Sequence, residues 1–156
     1  MKRLRGKLEM ISLRHFTEAD AEIIRQKHWT DLSIEEIVSI INDWKSLEYE
    51  GKYFEMFAIA VDDMAVGYIS LMEHSQSIVS LGIEIFSDKR QKGYATRAMA
   101  LASEIAAKRG YKAIQNQVRT DNMPSIALHE KCEYETDGYV YMNQKGKKVG
   151  LYTYFL

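Results

Sequence analysis

One cysteine, Cys132, and one proline, Pro124, are all that the 156 residues contain of either type. A lone thiol excludes an intramolecular disulfide framework and a multi-thiolate metal site, and a cytoplasmic location is expected. His15, His28, His74 and His129 stand far apart without a His-Glu-x-x-His spacing, so no metal is expected. No apolar run approaches the roughly 20 residues of a bilayer crossing, which leaves no membrane partner. Charge of one sign is lacking too: 21 basic residues face 22 acidic ones, and no whole-chain field draws nucleic acid. Repeats and Pro-rich linkers are absent, and the length fits a single core.

The local exception in charge is at the start. Lys2, Arg3, Arg5 and Lys7 make residues 1–8 a basic arm. No apolar stretch of roughly 7 to 15 residues follows it, as a secretory signal would need. Residues 9–156 are read as one domain.

Periodicity orders the rest. Met10 to Leu13 alternates and predicts a first strand. A helix is expected from Thr17, with early carboxylates and Ala21, Ile24 and His28 on one face. A second opens at the capping box Ser33-Ile34-Glu35-Glu36, ahead of Ile37, Ile40, Ile41 and Trp44. Met56–Val61 and Met64–Met72 read as strands joined at Asp62-Asp63, and Ile78–Phe86 as a third. After the charged loop 87–92, apolar residues from Ala95 to Ala106 recur at helical spacing, and Gly110 caps that helix. Lys112–Val118 reads as a strand and Asp121–Lys131 as a helix with Pro124 in its first turn. Tyr134–Met142 and Lys148–Phe155 read as a last hairpin, with Tyr139, Tyr141, Tyr152 and Tyr154 on one face.

The loop carries the chemistry. A strand entering a helix through Arg90-x-x-Gly93-x-Ala95 offers convergent backbone N–H groups and the positive end of a helix dipole. A Gly-x-Ala step at a helix start serves tight packing equally well, and neither a P-loop nor a Gly-x-Gly-x-x-Gly pattern is present. Glu84 is the other signal, because a carboxylate inside an apolar strand must be paired, solvated by a cleft, or shifted in pKa. Such a group suits a general base; pairing across the sheet is the alternative. Trp29 and Trp44 read as core or pocket lining, and Cys132 as a small buried apolar residue.

The run Arg90-Gln91-Lys92-Gly93-Tyr94-Ala95 resembles the acyl-CoA pyrophosphate loop of the GCN5-related N-acetyltransferase (GNAT) superfamily. Leu81-Gly82-Ile83-Glu84-Ile85 resembles that family's central strand, and Asn122 to Tyr134 its later helix motif. The resemblance extends from Met10 onward. It implies a mixed, mostly antiparallel sheet of six to seven strands flanked by about four helices.

The resemblance further implies acetyl-CoA as co-substrate. Ile83 and Ile85 would pair with the pantetheine arm, and Arg90, Gln91, Lys92, Gly93, Tyr94, Ala95 and Thr96 would cradle the pyrophosphate. Asn122 would reach the pantetheine unless it only caps its helix, and Ser125 would lie near the sulfur. His129 stands where many relatives carry a tyrosine that protonates the departing thiolate, and histidine is able to do the same at neutral pH. A structural histidine is the alternative. Glu133 replaces the glycine of the motif, so the helix end is expected to differ. The function so implied is direct acetyl transfer from acetyl-CoA to a primary amine of a small molecule or amino acid, or of a protein N-terminus, with Glu84 and His129 catalytic. A non-catalytic acyl-CoA-binding module is the alternative, and a homodimer the candidate assembly.

Overall fold

The computed structural model describes residues 9–156, so the basic arm of residues 1–8 lies outside the described part. Strand β1, Ile11–Arg14, leads into a 3-10 turn at Glu18–Asp20 and helix α1, Ala21–Lys27. The single helix expected from Thr17 is therefore split. Its start is fixed by Asp20, whose carboxylate accepts from the Thr17 N–H at 2.8 Å and from both Arg14 guanidinium nitrogens at 2.8 and 2.9 Å. Helix α2, Ile34–Asp43, begins at the predicted capping box, with the Ser33 side chain accepting from the Glu36 N–H at 3.1 Å.

Strands β2 (Glu48–Tyr49), β3 (Lys52–Val61), β4 (Met64–Glu73) and β5 (Ile78–Ile85) follow. Strand β3 starts four residues before its expected Met56, because its first residues pair with the short β2. At the β3–β4 turn Asp62 and Asp63 both hold positive φ (49° and 69°), the primed-turn geometry that matches strand twist. Helix α3 (Tyr94–Lys108), strand β6 (Ala113–Arg119), helix α4 (Met123–Lys131) and strands β7 (Glu135–Thr136), β8 (Tyr141–Met142) and β9 (Lys148–Phe155) complete the described chain.

The sheet order is β1-β3-β4-β5-β6-β9-β7, with β2 on β3 and β8 on β9, and only β5–β6 is parallel. The expected six to seven strands become nine because three two-residue pieces join six longer strands. Two of those pieces come from Tyr134–Met142, which does not form one strand: the chain turns at Asp137 and at Gly138, whose φ is 77°. Tyr139 is consequently 70% exposed in a loop, while Tyr152 is buried at 9%, so the predicted four-tyrosine face does not form.

Two cores sandwich the sheet. On one face, Phe57, Ile59, Ile69, Leu71, Val79 and Ile114 pack against Ala98, Met99, Ala102 and Ala106 of α3. On the other, Phe16, Ile24, Ile37 and Ile41 of the α1–α2 segment cover Ala58 and Phe86, with Trp29 and Trp44 packed at the margin. Among the described residues no helix is long and apolar enough to cross a membrane.

Candidate active site

Strands β5 and β6 pair for only two residues, Ile78 with Ala113 and Val79 with Ile114, and then diverge. β5 continues alone on that side. Its Phe86 N–H donates to Val66 of β4 at 2.9 Å, so the alternate residues Ile83 and Ile85 present their backbone groups toward the fork. This is the strand edge expected to receive the pantetheine arm. The Arg90 Nε donates to the Ile85 carbonyl at 2.9 Å, so the first residue of the loop is fastened to the strand end.

Beyond the strand, Gln91 and Gly93 both hold positive φ (62° and 78°), and Gly93 is the N-cap of α3. A Cβ on Gly93 would meet nothing within 4 Å, so the conformation alone demands glycine among the described atoms. No side chain caps α3, which leaves its leading amides at Tyr94, Ala95 and Thr96 directed into the cleft. Tyr94 contributes its backbone only. Its side chain is buried, and its hydroxyl donates to Glu9 at 2.5 Å. Arg97 is likewise turned away, donating to the Glu9 carbonyl at 2.9 Å.

The cleft between this loop, β5 and α4 has a volume of about 680 Å³. Ile83, Glu84, Ile85, Arg90, Gln91, Lys92, Gly93, Tyr94, Ala95, Thr96, Asn122 and Ser125 all line it. The structure thus brings together every predicted cofactor-contacting residue. Asn122 also caps α4, its Oδ1 accepting from the Ser125 N–H at 3.2 Å.

Glu84 stands at the rim, with a side chain 34% exposed. Its Oε2 accepts from the Tyr68 hydroxyl at 2.9 Å and lies 3.2 Å from His28 Nδ1, while Oε1 is 3.9 Å from Arg90 Nη2. Burial, then the Glu84 carboxylate, push the Tyr68 hydroxyl far above its ordinary pKa, so it stays a donor. The Tyr68 hydroxyl and His28 Nδ1 thus both approach Oε2, and Oε1 has Arg90 as its neighbour. Sequence reasoning missed His28 and Tyr68. Tyr68 is the direct cross-strand partner of Glu84, a relation that follows from the hairpin register.

His129 does not line the cleft. It is 4% exposed, with Nε2 at 3.1 Å from Asn116 Nδ2 and Nδ1 at 2.7 Å from the Ser125 carbonyl oxygen. Desolvation lowers its pKa, against the opposing pull of the Ser125 carbonyl. The expected acid therefore has no nitrogen free to face a departing sulfur. Cys132 is half-buried beside Met99, and burial raises its thiol pKa, which disfavours the thiolate. The changed residue at 133 does not alter the helix end: Glu133 takes the left-handed conformation (φ 65°), and the Tyr134 N–H closes on the His129 carbonyl at 3.0 Å.

On the opposite sheet face a groove of about 720 Å³ reaches the same fork. Phe54, Ser70, Met72, Ser80, Gly82, Gln115, Gln117 and Leu151 line it, together with Leu81 and Asn116 at the fork itself. Its lining contains no Asp, Glu, Lys or Arg among the described residues. Glu84 lies on the same face as Ser80 and Gly82, two residues beyond the end of the groove lining on β5, and itself lines the cleft.

Comparison with known proteins agrees with this architecture. The fold is similar to the microcin C7 self-immunity acetyltransferase MccE in complex with acetyl-CoA and AMP, at 19% identity and a TM-score of 0.78, covering 96% of this chain and 94% of that one. It is similar to the Salmonella typhimurium acetyltransferase that modifies the N-terminal serine of ribosomal protein L7/L12, at 19% identity and a TM-score of 0.75, covering 94% and 95%. A chimeric spermidine N-acetyltransferase built from the Vibrio cholerae and human enzymes matches at 17% identity and a TM-score of 0.71, covering 92% and 95%. No curated protein matches the sequence at a significant level. The family model described as an acetyltransferase (GNAT) domain matches residues 10–135, and the chain belongs to the GNAT acetyltransferase family.

Proposed function

We propose that this enzyme moves the acetyl group of acetyl-CoA directly to the α-amino group of an amino acid or peptide whose side chain is uncharged. The observation that carries the reading is a groove whose lining holds His74 but no Asp, Glu, Lys or Arg among the described residues, and which ends at Gly82, two residues along β5 from Glu84. A polyamine needs carboxylates along its length and a nucleotide needs basic partners for its phosphates, whereas hydroxyls and amides suit neutral polar groups.

The residues present fit an acyl-CoA. The uncapped amides of α3 suit a pyrophosphate, and the free edge at Ile83 and Ile85 suits the amides of a pantetheine arm. Bound there, acetyl-CoA supplies an activated acetyl thioester. Glu84 Oε1 accepts the proton that the acceptor's ammonium must lose before its nitrogen becomes a nucleophile. Tyr68 and His28 hold Oε2 and thereby aim Oε1. The Ile83 N–H, at the fork, is placed to stabilise negative charge on the acetyl oxygen, and the Ser125 hydroxyl in the cleft wall serves as donor to the departing thiolate. His129, expected as that donor, supports Ser125 from behind.

Acceptor competition tests this directly. With acetyl-CoA fixed, peptides beginning with Ser, Ala or Thr are expected to release free thiol at least about tenfold faster, by kcat/KM, than spermidine or an aminoacyl nucleotide. Preference for spermidine or for the nucleotide contradicts the neutral-acceptor assignment.

A further inference from the structure

We infer that Asn116 and His129 form a latch across the β5–β6 fork, which makes His129 a positioning residue for Ser125 and for the fork. The roles of Ser125 and the fork rest on the acetyl-transfer reading above; the hydrogen-bond order within the latch does not.

The order follows from one group that is able only to donate. The Leu81 N–H lies 2.7 Å from the Asn116 amide, so the atom facing it is Oδ1. That turns Nδ2 toward His129 Nε2 at 3.1 Å. Nδ2 only donates, so Nε2 accepts and carries no hydrogen. The ring proton therefore sits on Nδ1, where the Ser125 carbonyl accepts it at 2.7 Å. An imidazolium would set two N–H groups against each other at Nε2, in a site where both residues are 4% exposed. Desolvation of His129 works in the same direction.

The latch spans three elements. Leu81 lies two residues beyond the last backbone pair on β5, and Asn116 two residues beyond it on β6. The Asn116 side chain thus takes over where the ladder stops and holds the strands apart by its own length. The chain of bonds continues through His129 to the carbonyl of Ser125 in the first turn of α4. Tyr134 and Tyr152 pack on the imidazole, with ring centroids 4.9 and 5.4 Å away, and fix its plane. Fork width and the placement of the Ser125 hydroxyl are therefore coupled.

Long-range ¹H–¹⁵N correlation spectra of the wild-type protein read both His129 nitrogens without any turnover, so this result stands apart from that of the acetyl-transfer reading. A single neutral tautomer protonated on Nδ1 is expected between about pH 6 and about pH 8. A proton on Nε2, or titration within that range, overturns the latch. Kinetics provide the second arm. His129→Gln keeps an acceptor for Asn116 but has no acidic proton to give, and kcat is expected within about threefold of wild type with the acetyl-CoA KM unchanged. His129→Leu, without the acceptor, is expected to lose about tenfold or more in kcat. Equal losses of about 100-fold in both variants, as removal of a general acid gives, overturn the positioning role.

Discussion

Gly67 on β4 stands so close to Glu84 on β5 that a Cβ at position 67 would lie 2.1 Å from the Glu84 carbonyl oxygen. On its other side Gly67 borders a register shift between β3 and β4, where Ile59 pairs with Gly67 and Ala60 with Ala65. Gly67→Ala must therefore displace the backbone that carries the proposed base. A loss of about tenfold or more in kcat is expected, alongside destabilisation of about 1–3 kcal/mol in urea unfolding. Wild-type kcat in a folded Gly67→Ala protein would show that the position of Glu84 is immaterial.

Glu84→Gln keeps size and hydrogen bonding but removes the proton acceptor. A fall of about 10²- to 10³-fold in kcat is expected, with the acetyl-CoA KM unchanged. Tyr68→Phe and His28→Gln each remove or alter one holder of Oε2, and smaller losses, about 3- to 30-fold, are expected. If either outdoes Glu84→Gln in steady-state assays, the hierarchy at this site is reversed.

Gly93 holds φ at 78°, and a side chain there strains the loop whether or not space is available. Gly93→Val is expected to weaken acetyl-CoA binding by about tenfold or more in calorimetry and to cost about 1–2 kcal/mol of stability. Undiminished affinity would place the pyrophosphate elsewhere.

Glu133 carries the same left-handed strain outside the machinery, at φ 65°. Glu133→Gly relieves it at the end of α4, against a partly offsetting gain in unfolded-chain freedom. A rise of about 0.5–1 kcal/mol in unfolding free energy is expected with activity unchanged. A lowered melting temperature would refute the strain.

Asp20 gives the fold a pH dependence. Burial raises its carboxyl pKa, but the Arg14 hydrogen bonds, the Thr17 N–H and the Arg14 charge outweigh it, and the net shift is downward from 3.8. A depressed folded-state pKa adds stability above the unfolded value, and that stability is lost as pH falls through the folded one. Asp20→Asn is expected to cost about 2 kcal/mol at pH 7 in urea unfolding, with the difference from wild type shrinking below about pH 4. A constant difference across that window would rule out ionised Asp20 as the source.

The parts of this site that were legible in the sequence are those held by local geometry. The loop from Arg90 to Thr96 is contiguous, and its strand-to-helix context follows from period alone. His28 was illegible as a partner of Glu84, because their contact depends on α1 packing over a sheet whose strand lies 56 positions later. Asn116 did leave a signal. In Ala113–Val118 the inward positions are Ala113, Ile114, Asn116 and Val118, and a polar residue at an inward position needs partners. Its pairing with His129 removes that histidine from the cleft, something a helix motif alone does not reveal. The Tyr134–Met142 strand failed at Asp137-Gly138, a turn signal in the middle of the β-prone segment.

The proposed catalytic path runs from the cleft through the fork to the groove. Its most direct test is thiol release by the wild-type protein, measured against acetyl-CoA binding by calorimetry in the same preparation. Saturable acetyl-CoA binding is expected, together with thiol release that depends on a neutral α-amine acceptor and collapses in Glu84→Gln while binding stays intact. Binding without acceptor-dependent release would contradict it and leave a module that holds acyl-CoA and transfers nothing.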